Sequence, residues 1–210
     1  MSTRLELIAK QIKKDEKVLD VGTDHGLLPI FLLKNNITNN IIASDINEIP
    51  LQAAANNLVK ENLQGKVELK LTNGLEGIDL NKLDTIVIAG MGATTIGDIL
   101  KPFTGRYIIH STTHIPDVRE YIQNIGHVIT NEWVDQKGKI YNIVIETKEG
   151  KMNLTEKEFF LGPMLMKKKK EAESYYAFLL KTLNKNSEES EMQELKTKER
   201  GWLKEQLWNE

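Results

Sequence analysis

Apolar positions along this chain alternate between two periodicities. Leu5, Ile8, Ala9 and Ile12 recur at helical spacing, so the pattern predicts a helix over residues 4–12. Residues 17–21 then form a short apolar run of strand length. The chain passes through Gly22 and Gly26 into Leu27, Leu28, Ile30, Phe31, Leu32 and Leu33, an apolar helical segment. Pro29 stands in its first turn, where proline is tolerated because that N–H has no helical partner. Runs at 41–44, 66–71, 85–89 and 107–110 predict further strands, and helical patterns lie at 50–62 and 116–125. Two apolar runs, 127–134 and 139–146, are joined by Asp135-Gln136-Lys137-Gly138, which signals a β-hairpin. Strands alternating with helices predict an α/β domain over residues 1–150, its sheet parallel except for an antiparallel last strand.

Past residue 150 the pattern changes. Residues 155–184 and 188–209 are charged and helix-favouring, with a polar turn at 184–187. Leu179, Leu180 and Leu183 on the first stretch, and Met192, Leu195, Trp202 and Leu203 on the second, keep helical spacing. They predict a C-terminal extension over 151–210, an antiparallel helical hairpin of coiled-coil type. Tyr175, Tyr176 and the tryptophans read as packing residues of that seam rather than stacking platforms for bases.

Composition narrows the chemistry. The 210 residues carry a net charge of −2, so the chain lacks the overall basic footprint of many nucleic-acid binders. Lys167 to Lys170 form a local basic run, either a solvated helix face or an RNA contact through residues such as Lys167 and Lys168. There is no cysteine, which excludes disulfides, thiolate metal sites and cysteine nucleophiles. The four histidines show no ligand spacing, so no metal is expected. No run approaches the roughly 18 apolar residues of a membrane span, and the first residues lack a signal-peptide core. A cytoplasmic protein, not bound to a membrane and monomeric, is the expectation.

The strand, glycine loop and helix at 17–33 have the arrangement that opens a nucleotide-binding α/β domain. Asp20, Gly22 and Gly26 match the D-x-G-x-x-x-G loop of S-adenosylmethionine-dependent methyltransferases, many of which carry glycine where this chain has Asp24. Asp24 is either a carboxylate for the reaction or a cap on the following helix. His25 beside it either orients the loop or touches substrate. Asp45, at the tip of the second strand, is placed to accept both hydroxyls of a ribose, with a helix cap as its alternative. Asn73 and Gly74 make a turn beside an expected adenine edge. Gly90-Met91-Gly92 opens the carboxyl edge of the sheet, where a flat base could enter. Arg4 and Arg119 are candidates for phosphate, each with a surface charge or salt bridge as the plainer reading.

Taken together, DVGTDHGLLP (20–29), SDINEIPLQAA (44–54), NGL (73–75), IAGMG (88–92), VREYI (118–122) and LGPMLMKKK (161–169) resemble the bacterial tRNA adenine-22 N1-methyltransferases. The resemblance implies a Rossmann-like class I methyltransferase domain that binds S-adenosylmethionine, a coiled-coil extension, and methyl transfer to N1 of an adenine in tRNA. It further implies a catalytic role for Asp24, with His25 beside it. Asp20, Gly22, Asp45, Asn73, Gly74 and Gly90 to Gly92, Met91 included, would hold the cofactor. Arg4, His110, Thr112, Arg119, Lys167 and Lys168 would meet the tRNA. The chain departs from the family where His110, Ser111 and Thr112 replace a usual Gln-Pro-Asn run, and where Asn73 replaces Asp. Three rival readings stay open. They are a small-molecule methyltransferase, a nicotinamide-dependent oxidoreductase, which would need a closer glycine spacing, and a non-catalytic tRNA-binding protein.

Overall fold

The computed structural model describes residues 3–185 and 193–208. The expected turn residues Asn186 and Ser187, and Met192 of the expected seam, lie outside the described residues. The elements run α1 (Thr3–Ala9), β1 (Val18–Val21), α2 (Leu27–Lys34), β2 (Ile41–Asp45), α3 (Glu48–Lys60), β3 (Glu68–Leu71) and β4 (Thr85–Met91). They continue through α4 (Ala93–Ile99), β5 (Arg106–Ser111), α5 (Ile115–Asn124), β6 (His127–Lys137), β7 (Ile140–Glu149), α6 (Glu156–Leu161), α7 (Lys169–Lys185) and α8 (Gln193–Trp208).

The seven strands form one sheet in the order β3-β2-β1-β4-β5-β7-β6. Strands β1 to β5 are parallel, and β7 runs antiparallel to both β5 and β6. This is the mixed Rossmann-like sheet that the pattern predicts. Side chains alternate across it as the pleat requires: Ile86, Ile88, Tyr107 and Ile109 enter one core, and Val87 and Ile108 the other. Helices α1 and α2 cover the second face through Leu5, Ile8, Leu28 and Leu32.

The hairpin of β6 and β7 is longer than β5 needs. β7 pairs with β5 only through Val144, Ile145 and Glu146, opposite His110, Ile109 and Ile108. Its first residues therefore continue past the paired end of β5, on the edge where β1 and β2 also terminate. The hairpin tip rises above the carboxyl edge of the sheet.

The extension differs from a plain two-helix hairpin. Residues 155–184 break into α6, a 3₁₀ turn at Met166–Lys168, and α7. Gly162 at φ +93° and Pro163 end the first helix, because neither position continues an α-helix. Thr155 and Glu158 form a reciprocal capping box at its start. α7 and α8 make the hairpin, with Leu180 and Leu203 buried, whereas Leu195 is 49% exposed and stands outside the seam. Leu161, Leu165, Ala172, Tyr176 and Leu203 join the core that packs on the sheet, so the extension is seated on the α/β domain.

A buried ion pair ties the two together. Arg119, on α5, is fully buried and donates from Nε to Glu132 Oε1 at 2.8 Å. Its Nη1 reaches the carbonyls of Phe159 and Phe160 at 2.6 and 3.0 Å. Glu132 Oε2 accepts from the amides of Met164 and Leu165 at 2.9 and 3.3 Å. A Cβ on Gly162 would lie 2.6 Å from Arg119 Nη2, so this corner requires glycine both for its φ and for space. A second cluster holds the base of the sheet, where Arg106 contacts Glu16 and Glu146. Burial opposes the Glu16 charge, yet the Arg106 guanidinium holds that carboxyl below its usual range. Among the described residues, no helix is long and apolar enough to cross a membrane.

Candidate active site

Two cavities open at the carboxyl edge of the sheet and share a wall. The first, of about 410 Å³, is lined by Val21, Asp45, Asn73, Gly74 and Leu75, and by Thr95 and Asp98 of α4. The second, of about 210 Å³, is lined by Arg4, Asp20, Thr23, Asp24, His25 and Gly90. Gly22 and Met91 border both. Gly22 adopts φ +69°, and a Cβ there would collide with the Met91 methyl, so the shared wall is as thin as a backbone can make it.

Asp45 closes β2 with its carboxylate at the first cavity. Its Oδ1 accepts from the Asn47 amide at 3.0 Å and its Oδ2 from the Asp24 amide at 3.3 Å. Each oxygen keeps a further lone pair, which is the acceptor capacity a vicinal diol requires. Asn73 is exposed on the turn after β3, with Nδ2 3.5 Å from Glu76 Oε1. Gly74 packs against Ile99 at φ +57°. Asp20 is 6% exposed; burial first, and the Asp45 carboxylate second, push its pKa up to about 7. A cationic ligand group beside it would hold it ionised.

Asp24 lies in the second cavity at φ +53°, with a side chain 68% exposed. The helix-cap reading does not hold: the N-cap of α2 is Gly26, and no side chain caps it. Asp24 Oδ1 stands 3.5 Å from His25 Nε2, and Asn57 Nδ2 pins the loop by donating to the His25 carbonyl at 3.0 Å. Arg4 lies against Gly90, and its Nε is buried with no hydrogen-bond partner.

The Gly90 to Gly92 loop is held from β5. The Met91 carbonyl accepts from the Thr112 amide at 2.9 Å and from Thr112 Oγ1 at 3.1 Å, while Ser111 Oγ donates to the Thr113 carbonyl at 2.6 Å. Thr113 Oγ1 accepts from the Ala93 amide at 3.2 Å, capping α4 from a distance in sequence. Thr112 stays exposed.

Two expected tRNA contacts are corrected. Arg119 is no phosphate ligand, because its guanidinium is buried in the Glu132 pair. His110 is 3% exposed, and its Nε2 faces Asn142 Oδ1 at 3.2 Å. Burial, and then the Arg4 charge, lower its pKa to about 4, so it stays neutral inside the sheet rather than facing a base. Lys168 is half-buried and hydrogen-bonded to Asn131 Oδ1 and the Glu132 carbonyl, whereas Lys167 is exposed. The sequence pattern missed Ile46, Glu76, Thr95, Asp98 and Lys101 at the first cavity. The available signal was Gly92 followed by the 93–96 run, a strand, glycine loop and helix repeated later in the chain.

Residues 1–144 match the methyltransferase domain family model. The tRNA (adenine(22)-N(1))-methyltransferase of Bacillus subtilis is 29% identical over 152 residues, covering 69% of this chain and 64% of that protein, so the match spans just under two thirds of the relative. The Streptococcus pneumoniae protein Sp1610, solved in complex with S-adenosyl-L-methionine, superposes with TM-score 0.86 at 27% identity, covering 99% of each chain. M. capricolum TrmK, solved with S-adenosyl-homocysteine, gives 0.77 at 27% identity, over 99% of this chain and 97% of that one. The chain belongs to the methyltransferase domain family.

Proposed function

We propose that this protein transfers a methyl group from S-adenosylmethionine to N1 of adenine 22 in tRNA, in the cytoplasm. The observation that carries the reading is the pair of cavities meeting at Gly22 and Met91, one with Asp45 as a ribose acceptor and the other with the exposed carboxylate Asp24. The relatives that act on tRNA, and those solved with S-adenosylmethionine or its product, support the same assignment.

S-adenosylmethionine supplies an electrophilic methyl group on a sulfonium. In the proposed complex Asp45 takes the ribose hydroxyls, Asn73 and Gly74 border the adenine, and Asp20 meets a cationic group of the methionine part. The target adenine must leave its stack to expose N1, so the second cavity receives an extruded base. As N1 is alkylated the base becomes cationic and its exocyclic amine more acidic. Asp24 stabilises that charge and accepts a hydrogen bond from the amine. His25 orients Asp24, and Arg4, with its unpartnered Nε, anchors a phosphate of the extruded nucleotide. Positioning supplies most of the acceleration in such an in-line displacement.

The test is methyl transfer from labelled S-adenosylmethionine to unmodified tRNA, followed by nucleoside mass spectrometry. The expected product is 1-methyladenosine, with turnover of Asp24→Ala falling by about 10²- to 10⁴-fold while cofactor affinity persists. tRNA binding without product would point to a non-catalytic role. Neither binding nor product would point to a small-molecule acceptor.

A further inference from the structure

A third cavity, of about 440 Å³, lies between the tip of the β6–β7 hairpin, the Ser111 to Pro116 segment and helix α7. Phe178, 39% exposed, and Ile140, 66% exposed, stand in its walls as large apolar side chains facing water. Tyr141 lies beside Phe178 with ring centroids 5.0 Å apart and planes tilted by 34°, and it is held by a 3.0 Å hydrogen bond from its hydroxyl to the Ser174 carbonyl. Lys139 also lines the groove, and no Asp or Glu does, whereas the two cavities of the active site each contain carboxylates.

The groove neighbours the second cavity across the Gly90 to Gly92 loop, since Thr112 lines the groove and Met91, which it holds, lines the cavity. Ser111 and Thr112 form part of the groove lining, and Thr112 holds the Met91 carbonyl from behind. The hairpin tip that builds its other side rises on the edge of the sheet where the target base would enter. An aromatic platform, an exposed lysine and no opposing acid in the lining, beside the loop that borders the base cavity, are the ingredients of single-stranded nucleic-acid binding.

We infer that this groove is a stacking subsite for an unpaired nucleotide flanking the extruded adenine, with Phe178 and Tyr141 as the platform and Lys139 facing a neighbouring phosphate. The inference rests on the tRNA reading of the active site. It assigns the extension a direct part in holding the substrate, through α7 rather than through the lysine run alone.

The experiment measures tRNA affinity and the kinetic constants of the full chain with Phe178→Ala, Phe178→Trp, Tyr141→Leu and Lys139→Ala. Loss of one stacking platform predicts roughly a 5- to 100-fold weaker tRNA affinity for Phe178→Ala. The loss should fall in KM for tRNA more than in kcat, with S-adenosylmethionine affinity kept. Phe178→Trp should retain binding, and Lys139→Ala should flatten the salt dependence of binding while the aromatic variants leave its slope alone. A photoreactive benzoylphenylalanine at position 178 should cross-link to nucleotides adjoining the modified adenine. Unchanged tRNA affinity in Phe178→Ala and Tyr141→Leu, both shown folded by thermal melting, would overturn the proposal and leave the groove to a different partner. The outcomes separate from those of the parent reading. A wild-type chain that makes 1-methyladenosine beside insensitive variants sinks the groove alone. A wild-type chain that binds tRNA through Phe178 without turnover sinks the enzyme assignment and keeps the groove.

Discussion

Arg119→Met tests the energetic core of the link between the α/β domain and the extension. The substitution keeps a buried stem of similar length and removes three donor contacts, one to Glu132 Oε1 and two to the Phe159 and Phe160 carbonyls. Glu132 is then a carboxylate with no solvent exposure and only two backbone amides to stabilise it. Breaking a buried pair on one side costs about 3–5 kcal/mol, because the remaining charge has lost its counterion without regaining water. For a chain of this length such a loss corresponds to a fall of about 10 °C in Tm. Urea unfolding followed by far-UV circular dichroism gives the free energy, and the double variant Arg119→Met/Glu132→Gln gives the control. The amide at position 132 carries no charge and still accepts a backbone hydrogen bond, so the double variant should recover about 1 kcal/mol or more relative to the single one. A loss below about 1 kcal/mol, or a double variant no more stable than the single, would refute the claim that an uncompensated charge dominates at this corner.

Asp45→Ala removes the ribose acceptor and frees the Asp24 amide. S-adenosylmethionine affinity, read by calorimetry, should fall by about 10- to 100-fold, in line with losing charge-assisted hydrogen bonds. An unchanged affinity would place the ribose elsewhere. Asp20 predicts a pH effect of defined sign. Its folded pKa of about 7 lies above the ordinary carboxylate value, so the folded chain without ligand holds a proton that the unfolded chain releases. The stability it contributes therefore falls as pH rises from about 4 to about 7 and levels off above, by up to about 1.4 kcal/mol per pH unit. The difference in urea midpoint between wild type and Asp20→Asn should follow that window, and a constant difference from pH 5 to 8 would disprove it.

Much of this architecture was legible because the burial pattern is one-dimensional. Ile86, Val87 and Ile88 alternate between the two cores, and the two apolar runs predict the hairpin, although Asp135 to Lys137, expected in its turn, pair within β6 and the turn falls at Gly138-Lys139. The glycine loop was legible from local conformation, since Gly22 sits at φ +69°, where side chains are rarely accommodated. Arg119 and His110 were misread because charge in a sequence suggests surface. Their burial depends on Glu132 and Asn142, which are neighbours only after the hairpin folds against the sheet. The break at Gly162 and Pro163 was masked by strong helix formers on both sides. The role of Thr112 and Thr113 could not be read from spacing at all, because what they hold is a carbonyl and an amide some twenty positions earlier.

That carbonyl carries a consequence for how the protein tolerates change. Met91 is secured by two donors of one residue, the Thr112 amide and its hydroxyl, and these fill the two lone pairs of its oxygen. The partition between the two cavities is thus over-determined. The Thr112 hydroxyl can be lost to mutation while the amide of residue 112, which every residue except proline provides, keeps the wall in register. The side chains of this segment are accordingly free to drift in sequence, and a departure from a relative's residues here alters what the outer surface offers a substrate before it disturbs where the methyl donor sits.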